Sequence, residues 1–317
     1  MQKIQYLEII EKALKLTWRN KSMWFFGFLV FLGNVVSQIS PNIESATSEG
    51  VTFLQIADDF VQKYPAISAA AIAGLIFFAV VVYLLRLIGT ASLIKMSNNI
   101  LVYGQMKPRT IFLETKKYAW KLFLLELMIG LWLLIMAILL FSPAIYLYFL
   151  NAKVLIGIFT VLAALLFVPL LVAAYYVRKY AQIYLVLGEM SLMMAIDSAY
   201  DLLEKNLKHS LIMGIFSFSL YFISMFVCFL IVLLAVLAIV PLGFLLYIGL
   251  ANVGMYLAIG LGSLIVALLI ATFFSAYEAF IQSLWVLFFQ QIALDKKKDK
   301  EDERIKIEGS LPSPEAI

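Results

Sequence analysis

Charge is what this sequence has least of. Charged side chains make up 14% of the 317 residues and hydrophobic ones 64%, against roughly 25% and 45–50% in soluble domains. A soluble core cannot absorb that excess. Cysteine and histidine are nearly absent as well. The single cysteine, Cys228, rules out a disulfide within the chain. The single histidine, His209, leaves too few ligands for a zinc site. No glycine-rich phosphate loop and no nucleophile elbow occurs, and no charge sits at the centre of an apolar block. We therefore expect no enzyme, no cofactor, no metal and no nucleic-acid partner.

What the sequence does have is apolar blocks of spanning length. Six can be drawn, at about 23–39, 66–88, 122–140, 154–177, 211–240 and 254–277. The third is expected to stop near Pro143 and the fifth at Pro241, while Pro169 should kink the fourth. The leader of the first block contains Glu8 and Glu11, unlike a signal peptide, so the block is expected to be retained. The organisation expected is a cytoplasmic amphipathic helix at 1–22, a six-span membrane domain at 23–294 and a disordered cytoplasmic tail at 295–317. Strong charge of both signs and a Ser/Pro end underlie the tail assignment.

Basic residues orient the chain. Lys and Arg number five in 1–22, six in 95–121, four in 178–209 and six after 294; the opposite loops hold only Lys63 and Lys153. By the positive-inside rule both termini are cytoplasmic. In the outer loop, "VTFLQIADDFVQKYP" places Leu54, Ala57, Phe60 and Val61 on one helical face, either on the membrane surface or packed in the loop.

Internal similarity follows the same division. "LVYGQM" at 101–106 returns as "LVLGEM" at 185–190, each after a block ending in "VVVYLLR" or "VAAYYVR". "AxKLxxRN" at 13–20 matches "AxDLxxKN" at 199–206. In the second of these, Leu192, Ala195, Ile196, Ala199, Leu202 and Leu203 form an apolar stripe at helical spacing, expected to lie along the membrane surface. The fold class expected is an all-α polytopic bundle, six transmembrane helices in three repeated units. Each unit is led by a cytoplasmic amphipathic helix. Convergence of apolar text is the competing account of the repeat.

"ALKLTWRNKSMWFFGFL" and "MSLMMAIDSAYDLLEKNLKHSLI" carry a resemblance. The chain resembles poorly characterised six-span bacterial membrane proteins, among them the membrane domain attached to some glycerophosphodiester phosphodiesterases. The resemblance implies the architecture and a bacterial cell-membrane location. It implies no catalytic residue, because the phosphodiesterase chemistry of fused relatives lies in a separate barrel that this sequence lacks.

Four ionisable residues sit near cytoplasmic span ends: Arg86, Glu126, Arg178 and Glu278. Ionisable groups at membrane depth are costly and face protein or a wet cavity. The cluster is a candidate lipid-headgroup site, with the Lys116–Lys117 edge beside it. Set against that is a structural network, with the arginines snorkelling and the glutamates pairing. Gly254, Ala258 and Gly262 recur every four residues, a packing pattern for membrane helices. His209 reads as an interfacial contact or a proton switch. The function expected is a membrane-organising or lipid- and partner-interacting module, with the bilayer and its anionic lipids as partners. A transporter or permease for a small or lipid-like substrate is the alternative.

Overall fold

The computed structural model describes residues 5–38, 61–104, 107–150 and 152–309; the side chains of 38, 102, 103 and 294–309 are not described. The expected surface helix in 51–64 falls mostly outside these residues, as does the end of "LVYGQM". All described secondary structure is helical. In chain order it comprises α1 (Tyr6–Arg19), α2 (Ser22–Gln38), α3 (Pro65–Tyr103), α4 (Pro108–Thr115), a 3-10 turn (Lys116–Tyr118), α5 (Ala119–Phe149), α6 (Lys153–Leu187), α7 (Leu192–Lys205) and α8 (Leu207–Gly309). Pro65 and Pro108 open α3 and α4, where a proline costs no helix hydrogen bond.

Among the described residues four stretches are long and apolar enough to cross a membrane, in α3, Pro108–Phe149, α6 and α8. The 39 residues of α3 extend about 58 Å, well beyond a hydrocarbon layer of about 30 Å. The 17 residues of α2 reach only about 26 Å. The last helix is two. At Ala251 the backbone takes φ 50°, ψ −133°, and the chain turns back on itself. A Cβ on Gly243 would lie 3.2 Å from Ala258, and one on Gly262 would lie 2.9 Å from Ile239, so the arms run antiparallel in close contact. Lower down, the rings of Tyr221 and Tyr277 lie 6.3 Å apart. The small-residue spacing at Gly254, Ala258 and Gly262 thus packs the two arms.

Two expected helix stops are overturned. Pro143 lies inside α5 and Pro241 inside α8. A proline removes a single helix hydrogen bond, to the carbonyl four residues back. For Pro143 that carbonyl is Leu139, and the Ser142 hydroxyl donates to it at 2.9 Å. The aromatic run after each proline is therefore helix, and the second reversal shrinks to a turn at Ala251. A positive φ at an alanine costs on the order of 1 kcal/mol. Ala251→Gly is expected to raise stability by roughly that amount in a denaturant titration.

Burial is concentrated at one end. Leu87, Ile94, Leu122, Tyr180, Leu284 and Phe288 are among the fully enclosed side chains there. The helices' far ends leave Phe77, Leu139, Val161, Leu234 and Phe244 exposed. Hydrogen bonds knit the packed base: Ser97 to Ser283 at 3.0 Å, Ser92 to Thr115 at 2.7 Å, and Gln290 Nε2 to Asn98 Oδ1 at 2.6 Å. Tyr6 Oη and His209 Nδ1, 2.8 Å apart, tie α1 to α8. On α7, Ala195, Ala199, Leu202 and Leu203 are buried in this same core, with Leu192 and Ile196 against it. The stripe read as membrane-facing is covered by protein. The backbone of α8 continues to Gly309, into the segment expected to be disordered; 310–317 lie outside the described residues.

Candidate functional site

Where the packed base gives way to exposed apolar helix, a polar layer crosses the molecule. Arg86 on α3, Glu126 on α5, Arg178 on α6 and Glu278 on the second arm of α8 all lie in it. Each sits about 32–39 Å from the outer end of its own helix, close to one hydrocarbon thickness. Gly33 of α2 packs against the stem of Arg86, where a Cβ would overlap the side chain. The layer thus meets α2 near its end.

The four charges are not equivalent. Arg86 Nη2 donates to Glu126 Oε1 at 2.9 Å and Oε2 at 3.3 Å. The Tyr83 hydroxyl donates to Glu126 Oε2 at 2.7 Å, and its ring centroid lies 5.4 Å from the Arg86 guanidinium. The Arg86 and Glu126 side chains are 17% and 12% exposed, a sheltered ion pair. Glu278 Oε1 accepts from Asn34 Nδ2 at 2.8 Å. Arg178 has neither a hydrogen bond nor an ion pair among the described residues. It lines a cavity of about 450 Å³ with Tyr83, Phe123, Glu126 and Leu131.

Lys179, read from sequence as part of a connection, belongs to the layer too. It interacts electrostatically with all four charges and donates from Nζ to Gln282 Oε1 at 3.3 Å. Three cations therefore face two carboxylates, and Arg178 is the one of the three with no hydrogen bond or ion pair among the described residues. Asn34, Tyr83 and Gln282 were also missed. Spacing carried a signal for two of them: Tyr83 is three residues before Arg86, and Gln282 four after Glu278, so each pair shares a helix face.

The Lys116–Lys117 edge does not reach this cavity's charges. Lys117 Nζ donates instead to Glu189 Oε1 at 3.0 Å, and the Tyr118 hydroxyl donates to the same oxygen. The Tyr118 hydrogen bond and the Lys117 ammonium hold the Glu189 carboxyl below the usual carboxylate range. Among the described residues no group of three or more His, Cys, Asp or Glu comes together to hold a metal. No protein-family model, no curated protein and no solved structure matches this chain.

Proposed function

We propose that this is a non-catalytic integral membrane protein that organises the bilayer by holding an anionic phospholipid headgroup at Arg178. The observation that carries the reading is the guanidinium of Arg178, without a hydrogen bond or ion pair among the described residues, at a cavity beside the pair that neutralises Arg86. Arginine suits phosphate because its planar fork donates two parallel hydrogen bonds. Adding phosphatidylglycerol to the detergent-solubilised protein is expected to raise its melting temperature, since a ligand that binds only the folded state stabilises it. In Arg178→Gln that rise should disappear. An unchanged rise in the variant would refute the headgroup reading.

The membrane architecture belongs to the same proposal. The chain crosses six times, in three units: α1 before α2 and α3, α4 before α5 and α6, and α7 before the two arms of α8. The packed base with its surface helices is cytoplasmic, both termini with it, and 295–317 forms a tail there. Support comes from the Lys/Arg distribution and from the position of α1 and α7 on the same packed end. The resemblance to six-span bacterial membrane proteins supports a bacterial cell membrane. A polar layer near one border, not at the midplane, favours this reading over the transporter. In a Cys228→Ser background, Lys153→Cys should react with an impermeant thiol reagent on intact cells and Lys205→Cys should not. The opposite labelling would overturn the topology.

A further inference from the structure

A second cavity lies on the other side of α6, between it and the two arms of α8. It has a volume of about 500 Å³ and is walled by Tyr175, Tyr176, Tyr221 and Tyr277, with Glu278 and Ser217 as its other polar side chains. We propose that this cavity binds a neutral sugar, as the glycosyl headgroup of a lipid or as the corresponding free sugar.

The polar atoms define the ligand. Ser217 is 9% exposed and its hydroxyl has no hydrogen-bond partner among the described residues. A buried polar atom without a partner is costly, on the order of 1–3 kcal/mol, so it is where a ligand's hydrogen bond contributes most. Glu278 spends Oε1 on Asn34, and no hydrogen bond engages Oε2 among the described residues. An ionised carboxyl accepts at that oxygen and a protonated one can donate from it, and a ligand hydroxyl answers either. The tyrosine rings supply flat apolar walls, which suit the C–H faces of a sugar ring. A small number of placed polar groups in an apolar, aromatic cavity of this size is the usual composition of a ligand site.

An ammonium group is the competing donor, since tyrosine faces and a carboxylate also attract cations. The charges around Glu278 decide against it. Lys179 and Arg86 both interact with that carboxylate electrostatically, so its negative charge is already opposed. A hydroxyl gains the same hydrogen bond without meeting that repulsion. Lys179 itself is turned to Gln282 and forms no ion pair with Glu278 within 4 Å.

The proposal does not rest on the headgroup reading at Arg178. The test uses the full-length protein in a zwitterionic detergent without sugar. Glucosyl diacylglycerol, phosphatidylethanolamine and free glucose are titrated separately, with melting temperature as readout. Glucosyl diacylglycerol is expected to raise the melting temperature, with apparent affinity about tenfold weaker in both Ser217→Ala and Glu278→Leu, one lost hydrogen bond each. Arg178→Gln should bind it as the unaltered protein does. A matching effect of free glucose makes the source a soluble sugar; an effect of the lipid alone makes it a headgroup. Ser217→Ala removes one oxygen from the cavity wall and keeps the test usable if Glu278→Leu does not fold. The proposal is overturned if neither hydroxyl-bearing probe shifts melting, if both folded variants bind as before, or if only phosphatidylethanolamine acts.

Discussion

Glu126→Gln is expected to destabilise the protein by about 3 kcal/mol, the scale for removing one partner from a buried ion pair. The carboxylate accepts two bonds from Arg86 and one from Tyr83. A glutamine keeps an oxygen for Tyr83 but leaves the sheltered guanidinium without the carboxylate it is bonded to. The desolvation of Arg86 is then uncompensated, and that is the dominant cost. The paired change Arg86→Met with Glu126→Leu removes both charges and should restore most of the loss, because an apolar pair of similar size is often neutral or better. Denaturant unfolding in micelles of one detergent reads all three proteins. Equal stability of Glu126→Gln and the unaltered protein would mean that the pair is not structural.

Trp285→Ala should cost about as much or more, roughly 3–5 kcal/mol. Trp285 is fully enclosed, and the rings of Tyr175, Tyr176, Tyr180 and Phe288 lie 6.0–6.2 Å from it. It joins α6 to the second arm of α8 in the middle of the packed base. Removing it loses its apolar contacts and leaves a cavity that neighbours on two rigid helices can close only in part. Phe244→Ala, at the exposed outer end of the first arm, should change stability little by comparison. The contrast follows from where packing lies: the base holds the helices together, and the outer parts meet lipid. Equal losses at the two sites would show that the outer arms are packed too.

The apolar blocks were legible because a run of spanning length has no soluble explanation. The buried stripe of α7 was legible for a similar reason, its 3.6-residue period. What the stripe faces was not, since lipid and protein ask for the same apolar residues. Pro143 and Pro241 misled because a proline marks a helix end in water, whereas here Ser142 replaces the one hydrogen bond lost at Pro143. Of the polar layer, Arg86, Glu126, Arg178 and Glu278 stood out as charges at apolar edges. Lys179 was hidden by its place next to Arg178, and Asn34 by its neutrality. The Ser97–Ser283 link and the pairing of Arg86 with Glu126 depend on helices far apart in sequence, and no local pattern announces them.

Within the polar layer Arg86 is bonded to Glu126, whereas Arg178 has no hydrogen bond or ion pair among the described residues and is the proposed lipid contact. Native mass spectrometry of the protein extracted from membranes containing phosphatidylglycerol, carried out on Arg86→Gln and Arg178→Gln side by side, tests that division most directly. The expected result is loss of the retained anionic lipid in Arg178→Gln alone. Arg86→Gln should keep its lipid and be less stable. Retention of the lipid by Arg178→Gln, or its loss from Arg86→Gln while that protein remains folded, would contradict the account.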